Sequence, residues 1–426
     1  MARKFYLTFL ALAVLLISPV IASADVMVIK AVGVVNPVMS EFISKSIDEA
    51  AETSSLLVIQ LDTPGGLDTS MRSIVQKIKA SAVPIVVYVS PGGARAASAG
   101  VFITLSAHIA AMATSTNIGA AHPVSVGEKM DETTSKKAEN DAAAYIKSIA
   151  ESRGRNAEWA EKAVRESVSI TETDALQSNV IDLIAPDLQT LLNDIDGRKV
   201  ITSKGETVIR SSGQKITYKE RSSSMKILDF ISDPSVAYIL MMLGFYGIFF
   251  EMTNPGALFP GVFGSISLIL AFYSFQTLPV NYAGVLLILL AVILFILEIK
   301  IISYGILTIG GVISMLIGSI MLFDSTQPFF RLSLKVILPA VIITVLFFTL
   351  TASLAFKAHR RKPATGKEEL IDSEGEARTD IHEAGRVFIH GELWNAWSDE
   401  PIKKGERVIV DAVENLKLKV HLKTES

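Results

Sequence analysis

The stretch Val83-Pro-Ile-Val-Val-Tyr-Val-Ser90, followed by Pro91-Gly-Gly-Ala-Arg-Ala-Ala-Ser98-Ala-Gly100, decides how the first half of the chain folds. The apolar, β-branched run predicts a buried strand, and the small residues after it predict a loop that opens a helix. A second apolar run, Leu56-Leu-Val-Ile-Gln-Leu61, ends in the glycine turn Asp62-Thr-Pro-Gly-Gly66. Ser98 is therefore expected at a strand-to-helix junction, close to the end of a neighbouring strand.

Strand-like runs alternate with helix-like runs from Val26 to about Pro186. The strand-like runs are 26–35, 56–61, 83–89, 109–113 and 180–185. The helix-like runs fall near 38–53, 69–80, 97–108, 138–152 and 157–166. This alternation predicts crossover units and a mostly parallel sheet, with ligand chemistry at the carboxyl ends of the strands.

Composition narrows the function classes. The chain has 426 residues, a formal net charge of −3 and no cysteine, and half of its residues are hydrophobic. The charge argues against nucleic acid as the main partner, and the lack of cysteine excludes thiol catalysis and disulfides. The few histidines are scattered, so no metal site and no cofactor are expected.

The first 24 residues have the pattern of a secretory signal peptide. Arg3 and Lys4 are basic, an apolar stretch follows, and Ala22-Ser-Ala24 is a small-residue cleavage site. An uncleaved membrane anchor is the alternative. Either interpretation places the residues from Asp25 onward on the exported side of a membrane.

The region 229–356 is predicted to cross the membrane. Five segments (236–253, 257–276, 283–302, 304–323 and 333–356) each carry about 20 mostly apolar residues. The basic run Lys357-Ala-His-Arg-Arg-Lys362 follows the last segment, as is typical of the cytoplasmic side. Five spans that begin outside end inside, which agrees with an exported domain at 25–228 and a cytosolic tail. Four spans would break that agreement.

A small all-β domain of OB-fold type is expected at 384–426, after a linker at 357–383, because short alternating runs are separated by turns. Trp394 and Trp397 could form a binding platform there, although aromatic residues in such domains are more often core. Basic and acidic side chains are balanced along this segment, which favours a solvated surface over a nucleic-acid site.

Ser98 is the candidate nucleophile, and a serine needs a base to take its proton. His108, His122 and several lysines could serve: Lys129, Lys136, Lys137, Lys147 and Lys162. His108 lies in an apolar stretch and is expected to be structural, whereas a lysine must be buried and neutral to act as a base. Gly65 and Gly66 allow an unusual backbone turn, and the amide of Ala99 lies beside Ser98, so these residues could form an oxyanion hole. The alternative is that the glycines only make tight turns.

Four stretches together resemble the ClpP/crotonase-fold membrane proteases, and among them the long NfeD family of stomatin operon partners. They are Asp62-Thr-Pro-Gly-Gly66, Ala96-Ala-Ser-Ala-Gly100, Asn117-Ile-Gly-Ala120 and Tyr145-Ile-Lys-Ser148. The resemblance covers nearly the whole mature chain and implies a ClpP/crotonase-like exported α/β domain, an all-α transmembrane bundle and an OB-like domain. It also implies a Ser-Lys endopeptidase that cuts hydrophobic segments of stomatin-like proteins.

By this resemblance the nucleophile is Ser98, the base is Lys137, and the oxyanion donors are Gly66 and Ala99, with Gly65 supporting the turn. Lys136 would point about 100° away around a helix. His122 is the alternative base, because it lies near the position of the catalytic histidine in soluble ClpP proteases. Those enzymes also need an acid, and Ser167 stands at that position with Glu166 beside it.

Two other functions remain open from the sequence. One is a non-catalytic membrane scaffold for stomatin- or prohibitin-like assemblies, and the other, weaker one is a crotonase-like acyl-CoA enzyme. If the chain is a protease, a homo-oligomer, either a dimer or a larger ring, is expected because proteins of this fold class often form oligomers.

Overall fold

The computed structural model describes residues 25–124, 131–253, 256–276, 278, 280–301, 303–323, 330–359 and 370–423. The predicted signal peptide at 1–24 lies outside these residues. The chain divides into two compact units. The first holds the residues up to Phe295 together with Gly305–Ile343, and the second holds Ile296–Tyr304 and the residues from Thr344 onward.

The first unit contains the predicted parallel sheet. Its strands are β1 (Asp25–Val32), β2 (Ser54–Asp62), β3 (Ile85–Val89), β4 (Arg95–Ala97), β5 (Ile109–Met112), β6 (Asn117–Gly119), β7 (Ser169–Thr171), β8 (Leu183–Ile184), β9 (Lys199–Thr202), β10 (Gly205–Val208) and β11 (Ile216–Lys219). Six of them form one sheet in the order β11-β1-β2-β3-β5-β8, and every pairing in it is parallel. Alternate residues of β1 face opposite sides: Met27 and Ile29 join one buried core, and Val26 and Val28 join another.

Helices connect and cover these strands, because a parallel pair needs a crossover. They are α1 (Pro37–Thr53), α2 (Asp68–Lys79), α3 (Ala99–Ser106), α4 (Glu132–Ser152), α5 (Ala157–Arg165), α6 (Glu172–Gln177), α7 (Leu188–Ile195) and α8 (Ser223–Ile231). The predicted helices agree with α1 to α5 to within a few residues, except that α4 begins six residues earlier than the pattern indicated.

A second, three-stranded sheet in the order β4-β6-β7 lies beside Ser98. β4 pairs in parallel with β6, and Thr63, the first residue after β2, forms a bridge with Ala96 of β4. Through this bridge the glycine turn after β2 is brought against the segment that ends in Ser98.

Apolar helices follow in the order α9 (Pro234–Thr253), α10 (Leu258–Phe275), α11 (Tyr282–Lys300), α12 (Ile306–Leu322) and α13 (Leu334–His359). Among the described residues, four of them are long and apolar enough to cross a membrane, and α12 is a shorter apolar helix of 17 residues. The five apolar helices therefore lie in the five predicted segments, but only four of them are long enough for a span, so five spans stays a prediction.

The second unit contains a closed five-stranded barrel. Its strands are β12 (Glu374–Ala377), β13 (Gly385–Ile389), β14 (Glu392–Trp397), β15 (Arg407–Glu414) and β16 (Lys417–Leu422), in the order β12-β13-β14-β16-β15. β12 lies in the segment that the sequence assigned to the linker. The short run Glu-Gly-Glu-Ala has no β-branched, aromatic or large apolar residue, so its composition does not indicate a strand. Trp394 packs against the barrel core, while Trp397 stacks with the Lys419 amine 4.9 Å from its ring centre.

Candidate active site

Ser98 lies between β4 and α3 in a backbone conformation that is rare for a residue with a side chain. Its φ is 53° and its ψ is −114°. The turn is fixed by two backbone hydrogen bonds, since the Ser98 amide donates to the Gly119 carbonyl at 3.1 Å and its own carbonyl accepts from Val101 at 3.0 Å. Such conformations cost free energy and cluster at functional sites. The hydroxyl is thereby held at the start of a helix and at the carboxyl edge of the sheet.

The glycine turn after β2 packs directly against Ser98. Gly65 has a φ of +119°, and a Cβ placed on it would lie 2.6 Å from the Cβ of Ser98. A Cβ on Gly66 would lie 2.2 Å from the carbonyl oxygen of Val35. Both positions therefore require glycine for the close approach, and Gly65 also requires it for its positive φ.

Two backbone amides near the hydroxyl lack a partner among the residues that the structure describes. Neither the Gly66 amide nor the Ala99 amide donates a hydrogen bond there, and Ala99 is the first residue of α3, where amides have no acceptor within the helix. Both residues line the same cavity as Ser98. An oxyanion hole needs such a pair of available donors beside the nucleophile.

The cavity beside Ser98 is small, about 120 Å³. Its lining is mostly apolar and comes from the glycine turn, from α2, α3 and α4, and from the segment after β6. The residues are Gly66, Leu67, Asp68, Met71, Ser98, Ala99, Phe102, Ala121, Pro123, Val124 and Ala142. Sequence reasoning missed Met71 and Phe102, although Phe102 stands four residues after Ser98 and so lies on the same side of α3.

Lys137 lies exposed near the start of α4. Among the described residues it forms no ion pair, and no hydrogen bond joins its amine to Ser98. It lies one turn before Asp141, so the two share a flank of the helix. The other candidate lysines of the described chain form exposed ion pairs: Lys136 with Glu132, Lys147 with Glu161, and Lys162 with Glu158. Lys129 lies outside the described residues.

An arginine fixes α4 against the site. The Arg72 guanidinium forms ion pairs with Asp68 and Asp141, and it lies 4.4 Å above the ring of Tyr145. Tyr145 in turn stacks on Phe102, four residues after Ser98. Helix α4, which carries Lys137, is thus tied to both α2 and α3. This link could not be predicted from the sequence, because its members are far apart in the chain.

His122 contacts α5 through one ring nitrogen. Its Nδ1 lies 2.9 Å from the carbonyl oxygen of Val164. The neighbouring Ala121 and Pro123 line the cavity, but His122 is not among the lining residues. Ser167 and Glu166, at the position where an orienting acid would be needed, are both exposed.

His108 lies in the core, as expected for a structural residue. Its Nδ1 accepts a hydrogen bond from the Ile85 amide at 3.1 Å. Burial, with the nearby charges of Arg153 and Arg155, lowers the pKa of His108 to about 3. It is therefore neutral at physiological pH and stabilises the start of β3.

Comparison with known proteins identifies the relatives of this chain. The membrane-bound protease PH1510 of Pyrococcus horikoshii is 35% identical to it over 431 aligned residues, which cover 98% of this chain and 97% of the relative. The chain belongs to the NfeD family. Three family models match it: the NfeD1b N-terminal domain at residues 25–191, the NfeD integral membrane domain at 235–353, and the NfeD-like C-terminal, partner-binding domain at 367–421.

Another NfeD relative, the membrane protein NfeD1b of Bacillus subtilis, is 26% identical over 406 residues, which cover 90% of this chain and 89% of the relative. A solved structure of the 1510-N membrane protease specific for a stomatin homolog from P. horikoshii is 34% identical. It covers 49% of this chain and 98% of that chain, with a TM-score of 0.43.

The NfeD assignment confirms the family that the four sequence stretches indicated. The predicted architecture is also confirmed: an α/β domain with a parallel sheet, a run of apolar helices and a small OB-like β-barrel follow one another in the expected order.

Proposed function

We propose that this NfeD protein is a membrane-anchored serine endopeptidase with Ser98 as its nucleophile. The observation that carries the proposal is the meeting of three features at one cavity: a strained serine, a glycine turn packed against it, and two available amides at Gly66 and Ala99. Acyl transfer needs this set of groups. The near full-length similarity to a membrane-bound protease supports the same activity.

In the proposed mechanism, neutral Lys137 accepts the Ser98 proton while the Ser98 oxygen bonds to the peptide carbonyl carbon. The amides of Gly66 and Ala99 then stabilise the resulting oxyanion. As the peptide C–N bond breaks, Lys137 gives its proton to the leaving amine, and water later hydrolyses the acyl-serine. His122 is the alternative base, because an Nδ1–H that donates to the Val164 carbonyl leaves Nε2 free to accept a proton. Its weakness is that it does not line the cavity beside Ser98.

Lys137 is exposed in the single chain, whereas a lysine that acts as a base is shielded from water. A working base must therefore be covered, either by the bound substrate or by a second copy of the chain. We include a homo-oligomer, a dimer or a larger ring, in the proposal for this reason.

The proposed substrates are hydrophobic peptide segments of stomatin-like membrane proteins. An apolar lining beside Ser98 favours an apolar side chain next to the cleaved bond. The P. horikoshii protease is named as specific for a stomatin homolog, and we extend that substrate class to this chain.

The proposed orientation has the α/β domain outside the cell membrane and the barrel in the cytoplasm, as the charge pattern predicts. Since the chain has no cysteine, single cysteines can report it. We expect a membrane-impermeant maleimide to label Glu151→Cys in intact cells. Lys404→Cys should react only after the cells are permeabilised, and the reverse pattern would contradict this orientation.

A non-catalytic scaffold is the second candidate function. It is favoured by the match of residues 367–421 to a partner-binding domain, because a barrel that recruits a stomatin- or prohibitin-like partner needs no active site. Both functions share this partner, so only cleavage separates them.

The deciding experiment follows cleavage of an internally quenched peptide that contains a run of apolar residues, using the full chain in detergent micelles. We expect the wild type to cleave it, and Ser98→Ala and Lys137→Ala to lose activity by at least about a hundredfold. Lys136→Ala, a matched exposed lysine, should stay active. Undiminished cleavage by Ser98→Ala would exclude the proposed nucleophile, and loss in His122→Ala with survival of Lys137→Ala would reverse the choice of base.

A further inference from the structure

A single carboxylate joins the helix that precedes the membrane segment to the start of α1. Asp229 of α8 accepts a hydrogen bond from the Asn36 side-chain amide at 3.0 Å. Its other oxygen accepts from Arg221 at 2.6 Å, in an ion pair whose side chains are 15% and 35% exposed. The side-chain oxygen of Asn36, Oδ1, caps α1 by accepting from the Met39 amide at 2.8 Å. Every polar atom of the Asn36 side chain is thus used, and its position depends on Asp229.

Val35, the residue before Asn36, contacts the glycine turn that carries Gly66, a candidate oxyanion donor. The Val35 amide donates to the Gly65 carbonyl at 2.8 Å, and the Val35 carbonyl accepts from Leu67 at 2.9 Å. Val35 and Gly66 form a parallel bridge, in contact so close that no side chain fits at Gly66. The direction of the Gly66 amide is therefore set by where Val35 lies.

Helix α8 is in turn fixed to the apolar helices of the same unit. The hydroxyl of Ser274 in α10 donates to the carbonyl of Ile231, the last residue of α8. Asp233 then caps α9 by accepting from the Ser235 amide at 2.8 Å. A cavity of about 190 Å³ lies beside Asn36 and Asp229, so close packing is incomplete there. The hydrogen bonds therefore contribute more than van der Waals contacts to holding α8 against the start of α1.

We infer that Asp229 is a positioning residue: through Asn36 and Val35 it holds the Gly66 amide in the direction that an oxyanion requires, and so couples the membrane helices to catalysis. This inference rests on the proposed peptidase function. Asp229 lies outside the cavity and touches no reacting atom. A misplaced donor is costly, because donor strength at an oxyanion depends steeply on geometry.

An exchange of the two side chains tests this coupling. Asn36→Asp keeps the cap of α1 but brings a second carboxylate against Asp229. Asp229→Asn leaves one acceptor oxygen for two donors, Asn36 and Arg221. The double variant restores the pattern, since the new carboxylate at position 36 can accept from both Met39 and the new amide at position 229, whose oxygen accepts from Arg221. Glu220→Gln is the matched control, because it breaks the exposed Lys226 ion pair next to the same helix.

The measurements use the full chain in detergent micelles, with the quenched apolar peptide for kcat and KM and a fluorophosphonate probe for the reactivity of Ser98. We expect each single variant to lower kcat and the labelling rate by about tenfold or more, with KM within about twofold, at a temperature well below its thermal transition. A merely structural role would lower the thermal transition but leave kcat and the labelling rate of the folded protein unchanged. The double variant should return to within about threefold of the wild type, and Glu220→Gln should not differ from it.

The outcomes separate the two levels of the proposal. A wild type that neither cleaves the peptide nor reacts at Ser98 would refute the proposed function itself. An active wild type whose single variants stay within twofold would refute only the role of Asp229. Where a single variant fails to fold, the double variant decides: recovery of activity supports the coupling, and a double variant that stays inactive contradicts it.

Discussion

A Cβ built on Gly65 would lie 2.6 Å from the Cβ of Ser98 and 3.1 Å from its hydroxyl oxygen. No side chain fits between the glycine turn and the serine, so the substitution Gly65→Ala must displace one of them. We expect it to lower kcat/KM for the apolar peptide by at least about a hundredfold, because both the nucleophile and the neighbouring donor move.

The control for this prediction is Gly154→Ala. Gly154 has a φ of +67° but open space around its Cβ position, so it carries the conformational strain without the clash. Equal loss of activity in the two variants would mean that strain in the fold, and not the contact with Ser98, is responsible.

The cavity wall offers a second prediction. Ala142 of α4 lines the cavity of about 120 Å³ beside Ser98. Replacing it with leucine fills part of this space, so Ala142→Leu should raise KM several-fold for peptides with a large apolar residue at the cleaved bond and less for peptides with alanine. Ala144→Leu, on the exposed side of the same helix, should leave KM unchanged. Steady-state kinetics with two such peptides would test this, and an equal effect on both peptides would speak against a side-chain pocket.

Arg72 provides a third prediction, since it ties α4 to α2 through Asp68 and Asp141. A lysine keeps the charge but cannot form both planar contacts or stack in the same way on Tyr145. We expect Arg72→Lys to increase amide hydrogen exchange in α4 by an amount that corresponds to about 1 kcal/mol. Lys77→Arg, in the exposed pair with Asp48, is the control. Unchanged exchange in α4 would show that packing alone holds the helix.

The buried histidine gives a pH dependence. Burial and two neighbouring arginines lower the pKa of His108 from its ordinary value of 6.5 to about 3. Between these values the unfolded chain binds a proton that the folded chain does not. The contribution of neutral His108 to the free energy of unfolding is therefore complete above pH 6.5. It is lost as the pH falls towards 3, by up to about 1.4 kcal/mol per pH unit.

Thermal unfolding of the full chain in micelles between pH 7 and pH 4 would reveal this slope. His108→Asn keeps a side-chain acceptor for the Ile85 amide but does not titrate in this range, so its transition temperature should fall less steeply with acid. Parallel curves for the two proteins would rule His108 out as a source of acid sensitivity.

The sequence was sufficient for the features that depend on neighbouring residues. The strand from Ile85 to Val89 and the helix after Ser98 were predictable because their signals, apolar runs and small residues, are local. The apolar helices were predictable for the same reason, since hydropathy needs no knowledge of contacts.

What the sequence missed depends on distant pairs. Strand β11 joins β1 across nearly 190 residues, and the pair Asn36 and Asp229 is separated by 193 positions. The role of Arg72 in fixing α4 could not be predicted either, because Arg72 and Asp141 are far apart in the chain. The choice of Lys137 as the base came from family resemblance, and it stays a prediction. Helical periodicity places Lys137 on one flank of α4, but it cannot tell whether the amine reaches the Ser98 hydroxyl.

The proposed function rests on one claim, that the Ser98 hydroxyl is an activated nucleophile beside two main-chain donors. The most direct measurement is peptide mapping by mass spectrometry after the full chain, in micelles at neutral pH, reacts with a fluorophosphonate. We predict a single phosphonyl adduct on the peptide that contains Ser98, absent in Ser98→Ala and slowed in Lys137→Ala. Cleavage of the apolar peptide without any adduct at Ser98, or an adduct on another residue whose loss abolishes cleavage, would contradict the claim.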